Sequence, residues 1–536
     1  ETAYFCDFVV WTIRNSKEFG PTAADREMLL RRGGLQIYTT LDLNLQASAH
    51  KSVMKFVPFD DPSRIGTSAV SVEVGTGRVI AMAQNRVFDQ TDSGKRGHTS
   101  VNYSTDKEFG GSSGFQTGST YKVFTLAEWL TKGYRLNDMV DARRKDWDTG
   151  TEFRAACGGV GGPWNPKNSA GRGSKEDNMT ALRATYLSVN TAFANMASQL
   201  DLCDIRDTAM RFGVHRADGG ELSYVPSSIL GVNEVAPLSM AAAMAGIAND
   251  GVFCSPVAID KVILRRTNEE LEVPKTICSQ AVSPEIAHAM VEAMRGVVSG
   301  GTGAAANPGD GTPLAGKTGT TDNRIHTWMN GFSSKVATAT WVGNVSGLTS
   351  QSSKSVNGRA VSTIRHSIWK AIMTEVNKRY VGQAFPAALP QYTAATMITI
   401  PNTTVTDVES AKLTLTGAEL NIAVQKREVT STAPAGTVAY TIPAAGQTIA
   451  RGSIVKVFIS AGGKLVVPTV RGIDLNQAKA NLEAMGFTVS LPQSSQSQLK
   501  QCDPAIANGV AHSTLPAAGS EISANSAIVL IPNQCG

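Results

Sequence analysis

Three short motifs carry residue types able to move an acyl group. In chain order they are Ser119-Thr120-Tyr121-Lys122, Ser188-Val189-Asn190 and Lys317-Thr318-Gly319-Thr320. A serine hydroxyl is a weak nucleophile until a base takes its proton, and a lysine amine can be that base once its pKa falls from about 10.4. Ser119 and Lys122 stand three positions apart. On a helix they share a face, which brings hydroxyl and amine within hydrogen-bonding reach. The triplet reads as a serine acyltransferase that uses lysines, not histidine, as bases.

Order and spacing select these residues. Ser-x-x-Lys begins seven times, at Ser48, Ser52, Ser104, Ser119, Ser367, Ser453 and Ser497, and Ser-x-Asn four times, at Ser100, Ser188, Ser355 and Ser523. Neither pattern identifies anything alone. Lys-Thr-Gly occurs once, 198 positions after Ser119, and it singles out the set that precedes it as nucleophile, loop and strand.

The elements that must position these groups are partly visible. Tyr121 to Leu130 has helical apolar spacing, which places Ser119 at a helix N-terminus with a favourable dipole. Strand patterning from Ser68 to Ala83, on both sides of Gly75-Thr76-Gly77, predicts a β-hairpin. With 536 residues, 42% hydrophobic and 18% charged, the chain is globular and long enough for about two to four domains. A net charge of +5 without arginine-rich runs excludes a nucleic-acid binder. Apolar stretches such as Met240 to Ala248 are too short to span a bilayer, and the start at Glu1 lacks the parts of a signal peptide. The expectation is a soluble chain, or one whose anchor has been removed.

Seven cysteines leave the compartment open by number alone. Cys254 and Cys278 flank what reads as a β-hairpin, and Cys157 with Cys203 is a third candidate pair that leaves Cys6 over. Free thiols suit these central cysteines equally well. A disulfide is expected only for Cys502 with Cys535. Scattered histidines and the lack of Cys-x-x-Cys predict no metal site and no cofactor.

After about residue 385 the composition changes and a repeat begins. Pro401 and Pro468, like Ala411-Lys412 and Ala478-Lys479, are 67 apart, whereas Pro443-Ala444-Ala445-Gly446 and Pro516-Ala517-Ala518-Gly519 are 73 apart. The second copy therefore carries six extra residues, around Cys502. Each copy ends in a strand-like run, Ile454 to Ser460 and Ala527 to Ile531, so each reads as one helix on a few strands.

From about Leu35 to Pro386 the chain resembles the transpeptidase domain of class A penicillin-binding proteins, and the tail resembles two PASTA modules, an arrangement of actinobacterial type. Besides the three motifs, Gly34-Leu35-Gln36-Ile37-Tyr38-Thr39-Thr40-Leu41-Asp42 resembles the opening of that domain. Leu230-Gly231-Val232-Asn233-Glu234-Val235-Ala236-Pro237-Leu238 and Ala248-Asn249-Asp250-Gly251 resemble its internal helix signature. Ser367-Ile368-Trp369-Lys370 through Phe385-Pro386 resembles its final helix, which makes that Ser-x-x-Lys a decoy.

The resemblance implies an α+β fold of the penicillin-binding and serine β-lactamase kind, a central antiparallel sheet with helices, over residues 34–388. Two small α+β modules follow at 396–462 and 463–536, and residues 1–33 are a linker after an absent glycosyltransferase domain. It implies that Lys122 deprotonates Ser119, that Lys317 is the neighbouring cation and relays a proton through Ser188, and that the N–H groups of Ser119 and Thr320 form an oxyanion hole. Asn190, Thr318, Gly319 and Thr320 would bind the substrate. The implied reaction is D,D-transpeptidation between peptidoglycan stem peptides through a Ser119 acyl-enzyme, with β-lactams as covalent inhibitors. A D,D-carboxypeptidase and a non-turnover sensor with the tail as cell-wall binding module remain as alternatives. The setting would be the extracytoplasmic face of the membrane or the cell wall, the chain being an extracellular part of a larger protein.

Two departures stand out. A class A β-lactamase uses a Glu-x-x-Leu-Asn carboxylate between the second and third motifs, which this chain lacks there; Glu419-Leu420-Asn421 lies in the tail. After Lys317-Thr318-Gly319-Thr320 the family has an acidic residue shortly before Trp-Phe, where this chain reads Asn323-Arg324-Ile325-His326-Thr327-Trp328-Met329. His326 is expected to be structural and Trp328 core.

Overall fold

Alternating small and β-branched residues build the centre of the first unit. Ile65–Glu73 (β1) and Val79–Gln84 (β2) pair across Gly75-Thr76-Gly77 as the alternation predicts. Ala315–Thr320 (β3), His326–Phe332 (β4) and Val336–Asn344 (β5) join them in an antiparallel sheet of order β3-β4-β5-β1-β2. The strands β1 and β5 are buried along nearly their whole length, and their polar side chains pair inside the sheet. Ser71 and Thr338 hydroxyls lie 2.9 Å apart, and Thr67 Oγ1 donates to the Trp341 carbonyl, so burial leaves these groups satisfied.

Helices cover both faces. Pro237–Ala248 is apolar on every side and buried from Pro237 to Ile247, as a helix packed in a core must be; it lies on β1, β4 and β5. On the other face Leu43–Phe56 and Val361–Arg379 form one cluster with Leu45, Val53, Ile364, Ile368, Trp369 and Ile372. Each fully buried aliphatic side chain there contributes about 1.5–3 kcal/mol. Helix Pro284–Ser299 packs on β3 and on the helices Lys122–Thr131 and Ala181–Leu187, which draws the three motifs to one end of the sheet. β3 is an edge strand, so one of its sides stays open to a partner.

The structure, a computed structural model, describes residues 1–91, 93–144, 146–169, 178–492, 501–522 and 526–535. Residues 1–136 and 142–394 form one unit, and 137–141 with 395–536 a second. The Ser497 and Ser523 motif matches lie outside the described residues, as does part of the insertion ahead of Cys502. No helix among the described residues is long and apolar enough to cross a membrane.

Two expectations are corrected. Residues 1–33, read as a linker, hold the helices Ala3–Asn15 and Ala23–Arg32. The first buries Tyr4, Phe5, Phe8, Val9 and Ile13, with the Tyr4 hydroxyl donating to the Thr99 carbonyl and the Phe8 ring against Phe109. The second is closed by a reciprocal cap between Thr22 and Asp25. Disulfides join Cys157 to Cys203 and Cys254 to Cys278 as well as Cys502 to Cys535, and Cys6 is the exposed free thiol. The fold brings the first two pairs to Cα separations of 6.0 and 4.0 Å, within or near the reach of a bridge.

The second unit shows the repeat as topology. In one copy Met397–Thr399 pairs with Thr448–Ala450, and Ile454–Ile459 lies between Asn421–Val424 and Val438–Ile442, parallel to the first and antiparallel to the second. In the other, Leu465–Val466 pairs with Glu521–Ile522, and Ala527–Pro532 lies between Thr488–Ser490 and Ala511–Leu515 in the same senses. One helix, Val408–Gly417 or Leu475–Ala484, packs on each set, with Asp407 or Asp474 as its N-cap.

Candidate active site

The nucleophile turn is built by close backbone approach. Gly118–Tyr121 forms a turn of 3-10 helix that runs into the α-helix Lys122–Thr131. Gly118 has φ 54°, and a side chain there would meet the Thr320 backbone at 2.8 Å. A side chain at Gly319 would strike the Thr117 carbonyl at 2.4 Å and Thr120 at 2.9 Å. Glycine at both positions lets edge strand β3 lie directly against the Ser119 turn. Gly319 thus serves as a packing position; it does not line the cavity.

That cavity, of about 630 Å³, is lined by Ser119, Ser188, Asn190, Thr318 and Thr320 among others. Ser188 ends helix Ala181–Leu187 with left-handed backbone, φ 57° and ψ 42°, a conformation that costs an L-residue about 1–2 kcal/mol. The turn aims the Ser188 carbonyl at Lys122 and its hydroxyl at Lys317. Lys122 Nζ donates to the Ser188 carbonyl at 2.8 Å and to Asn190 Oδ1 at 2.6 Å, and lies 3.5 Å from Ser188 Oγ. Lys317 Nζ donates to Ser188 Oγ at 2.6 Å and to the Thr318 carbonyl at 3.1 Å.

No hydrogen bond joins Ser119 Oγ to Lys122 Nζ among the described residues, where the helical spacing predicts one. The amine is turned to Ser188 and Asn190 instead. A neutral amine has two N–H groups, and the two short bonds use both, so its lone pair remains free to accept a proton. Asn190 is engaged at both ends of its amide, since Nδ2 donates to the Lys167 carbonyl at 2.7 Å.

Burial sets the charges. Lys122 and Lys317 are fully buried side chains. Desolvation, followed by the charge of Lys317, holds the Lys122 amine well below the ordinary lysine range. Lys317 is brought down to about 7, first by desolvation and then by the Arg365 guanidinium. Lys317 can therefore exchange protons near neutral pH, and the Lys122 amine is shifted toward its neutral form.

Spacing missed several cavity residues. Arg365 and His366 line it from helix Val361–Arg379, and Thr302 lines it with its hydroxyl 2.6 Å from that of Thr318. No local pattern marks them; Arg365 and His366 stand immediately before the decoy Ser367. His326 lies outside the lining, accepts from Trp341 Nε1 at 3.3 Å and is lowered to about 4 by burial. Trp328 is fully buried, with Nε1 donating to the Gln116 carbonyl. Among the described residues no cluster of histidine, cysteine or acidic side chains could hold a metal.

Comparison with known proteins bears on two stretches of the chain. The penicillin binding protein transpeptidase domain matches residues 67–373, and the PASTA domain matches 398–461. Penicillin-binding protein 1A of Clostridium acetobutylicum is 27% identical over 60% of this chain and 39% of its own length. That of Neisseria cinerea is 32% identical over 42% of this chain and 28% of its own. The chain thus spans two fifths or less of these relatives. In fold it is similar to the PonA1 protein from Mycobacterium tuberculosis in complex with penicillin V, at 24% identity and a TM-score of 0.53 over 67% of this chain and 90% of that one. It is likewise similar to penicillin-binding protein 1A from Haemophilus influenzae, at 16% identity and a TM-score of 0.55 over 74% of this chain and 73% of that one.

Proposed function

The chain belongs to the penicillin-binding protein transpeptidase family, and from that premise we propose that it is a peptidoglycan D,D-transpeptidase with Ser119 as nucleophile. The observation that carries the reading is the chain Lys317–Ser188–Lys122, with 2.6 Å from Lys317 Nζ to Ser188 Oγ and 3.5 Å from there to Lys122 Nζ, in which Ser188 lines the same cavity as Ser119 and the two lysines are buried behind it.

Ser119 Oγ attacks the carbonyl carbon of the penultimate D-Ala, and its proton passes to the neutral Lys122 amine. The oxyanion is held by the N–H groups of Ser119 and Thr320, where losing one donor costs about 3 kcal/mol of transition-state stabilisation. The C–N bond breaks as Ser188 Oγ protonates the departing D-Ala amine and is resupplied by Lys317. An amine of a neighbouring stem peptide then attacks the ester, loses its proton by the same relay and leaves Ser119 free. A β-lactam presents a strained amide to the same serine and stays bound as an acyl group. Three disulfides suit an oxidising setting outside the cytoplasm.

Intact-mass measurement after incubation with a penicillin, followed by peptide mapping, tests the nucleophile. The expected result is one adduct on the Ser119 peptide that is lost in Ser119→Ala; an adduct that survives the substitution would reject the assignment. With a D-Ala-D-Ala stem peptide, D-Ala release together with a cross-linked dimer is expected. Release without dimer would make the enzyme a carboxypeptidase.

A further inference from the structure

Helix Asn190–Ser198 starts at the second motif without a cap of its own. The residue before it, Val189, makes no side-chain bond to the first turn, and the leading N–H groups of a helix need partners from elsewhere. Asn168 supplies one from 23 positions upstream of Thr191. Its Oδ1 accepts from the Thr191 N–H at 3.1 Å, and its Nδ2 donates to the Thr191 hydroxyl at 2.9 Å. Thr191 is fully buried, so the two bonds fasten Asn168 to the core. Because the Thr191 backbone nitrogen can only donate, it also fixes which end of the Asn168 amide is the oxygen.

That anchor places the carbonyl of the preceding residue. The Lys167 carbonyl accepts from Asn190 Nδ2 at 2.7 Å, while Asn190 Oδ1 accepts from Lys122 Nζ at 2.6 Å. Turned over, the Asn190 amide would set its oxygen against the Lys167 oxygen, acceptor against acceptor, and would present N–H groups to Lys122. An N–H there would tie up the lone pair that has to take the Ser119 proton. The Lys167 carbonyl thus decides the orientation of the amide. It uses one of the two N–H groups on Nδ2 and leaves the other for a substrate in the cavity, which Asn168 and Asn190 both line.

We propose that Asn168 is a positioning residue for the acylation step: it fastens the Lys167 carbonyl over Asn190 and so keeps the Asn190 oxygen on the base Lys122. The proposal rests on the acyl-enzyme reading above. Asn168 belongs to none of the three motifs, and its effect reaches the base through Asn190.

The test measures second-order acylation by a penicillin, from adduct mass, in wild type, Asn168→Ala, Asn168→Asp, Asn190→Ala and the double variant Asn168→Ala with Asn190→Ala. Each rate is normalised to the folded fraction from thermal melts, which separates slow acylation from unfolding. Asn168→Ala should lose about five- to thirtyfold. Asn168→Asp, whose two oxygens can accept from both donors of Thr191, should stay within about threefold of wild type. Where Asn190 is already alanine, removing Asn168 should cost under about twofold, because the link it acts through is gone. Losses that multiply in the double variant would make Asn168 a helix cap alone, and an Asp variant as slow as the Ala variant would show that the bonds to Thr191 do not matter; either result overturns the proposal. A rate that holds or rises in Asn168→Ala would make the Lys167 carbonyl a strap that the substrate has to displace, and overturns it as well. Failure of wild type to form any adduct would instead sink the acyl-enzyme reading, and the proposal with it.

Discussion

Four Ser-x-x-Lys tetrapeptides, beginning at Ser48, Ser52, Ser119 and Ser367, lie on helices of the first unit, and only the one at Ser119 has the surroundings of a base. Lys122 is fully buried, hydrogen-bonded to Ser188 and Asn190, and depressed by desolvation. Lys370, in the helix Val361–Arg379, is exposed, while its neighbour Trp369 carries that helix into the core. Lys51, Lys55, Lys107 and Lys456 of the other described matches are exposed as well. Spacing puts a hydroxyl and an amine on one helix face anywhere. Desolvation turns the amine into a base, because water otherwise keeps the ammonium charged.

The sharpest way to break this contrast is to remove each lysine in turn. Lys122→Ala should slow penicillin acylation about 10²–10⁴-fold, and Lys370→Ala should leave it within about twofold, measured as second-order adduct formation by mass. Comparable rates for the two variants would separate burial from function. A middle-sized effect is expected at Gly319→Ala, whose new methyl meets the Thr117 carbonyl. It should shift the Ser119 turn, cutting acylation about 10–100-fold and destabilising the unit by about 1–3 kcal/mol. A rate near wild type would show that β3 need not touch the turn.

The smallest expected effect concerns the cost of burying amines. Lys317 is faced by Lys122 from the nucleophile helix, Ser188 from the turn after Leu187 and Arg365 from the last helix. Its folded pKa of about 7 lies below the ordinary 10.5. Between those values the unfolded chain binds more protons than the folded one, so stability should rise with pH across that window, and the penalty is complete below it. Lys317→Met should therefore raise stability at pH 6 by roughly 1–2 kcal/mol, with the gain shrinking toward pH 9.5, while acylation is lost. Chemical denaturation at the two pH values checks this; a gain independent of pH would reject desolvation as its source.

Some of the architecture was legible because its signal is local. The β1–β2 hairpin follows from alternation around Gly75-Thr76-Gly77, the helix after Ser119 from its apolar spacing, and the repeated tail topology from matched offsets between Pro401 and Pro468. Tyr4, Phe5, Phe8, Val9 and Ile13 also carry a helical stripe, but reading 1–33 as a linker passed over it. The bridges Cys157–Cys203 and Cys254–Cys278 were open, since cysteines 46 and 24 positions apart bond only when the fold brings them together. Arg365 and His366 were invisible for the same reason. They belong to an unremarkable helical turn until Thr320 is placed against them.

The sequence by itself determined the chemistry available, a serine with two lysines in fixed order, and the class of fold that carries it, because motif spacing and hydrophobic period are properties of the chain. Only the tertiary structure decided that, among the described Ser-x-x-Lys matches, Lys122 is the buried lysine. It turned the Lys122 amine toward Ser188 and Asn190, and it set the Arg365 guanidinium against Thr320 in the cavity wall. Burial and electrostatic environment are sums over residues distant in sequence, and no local window contains them.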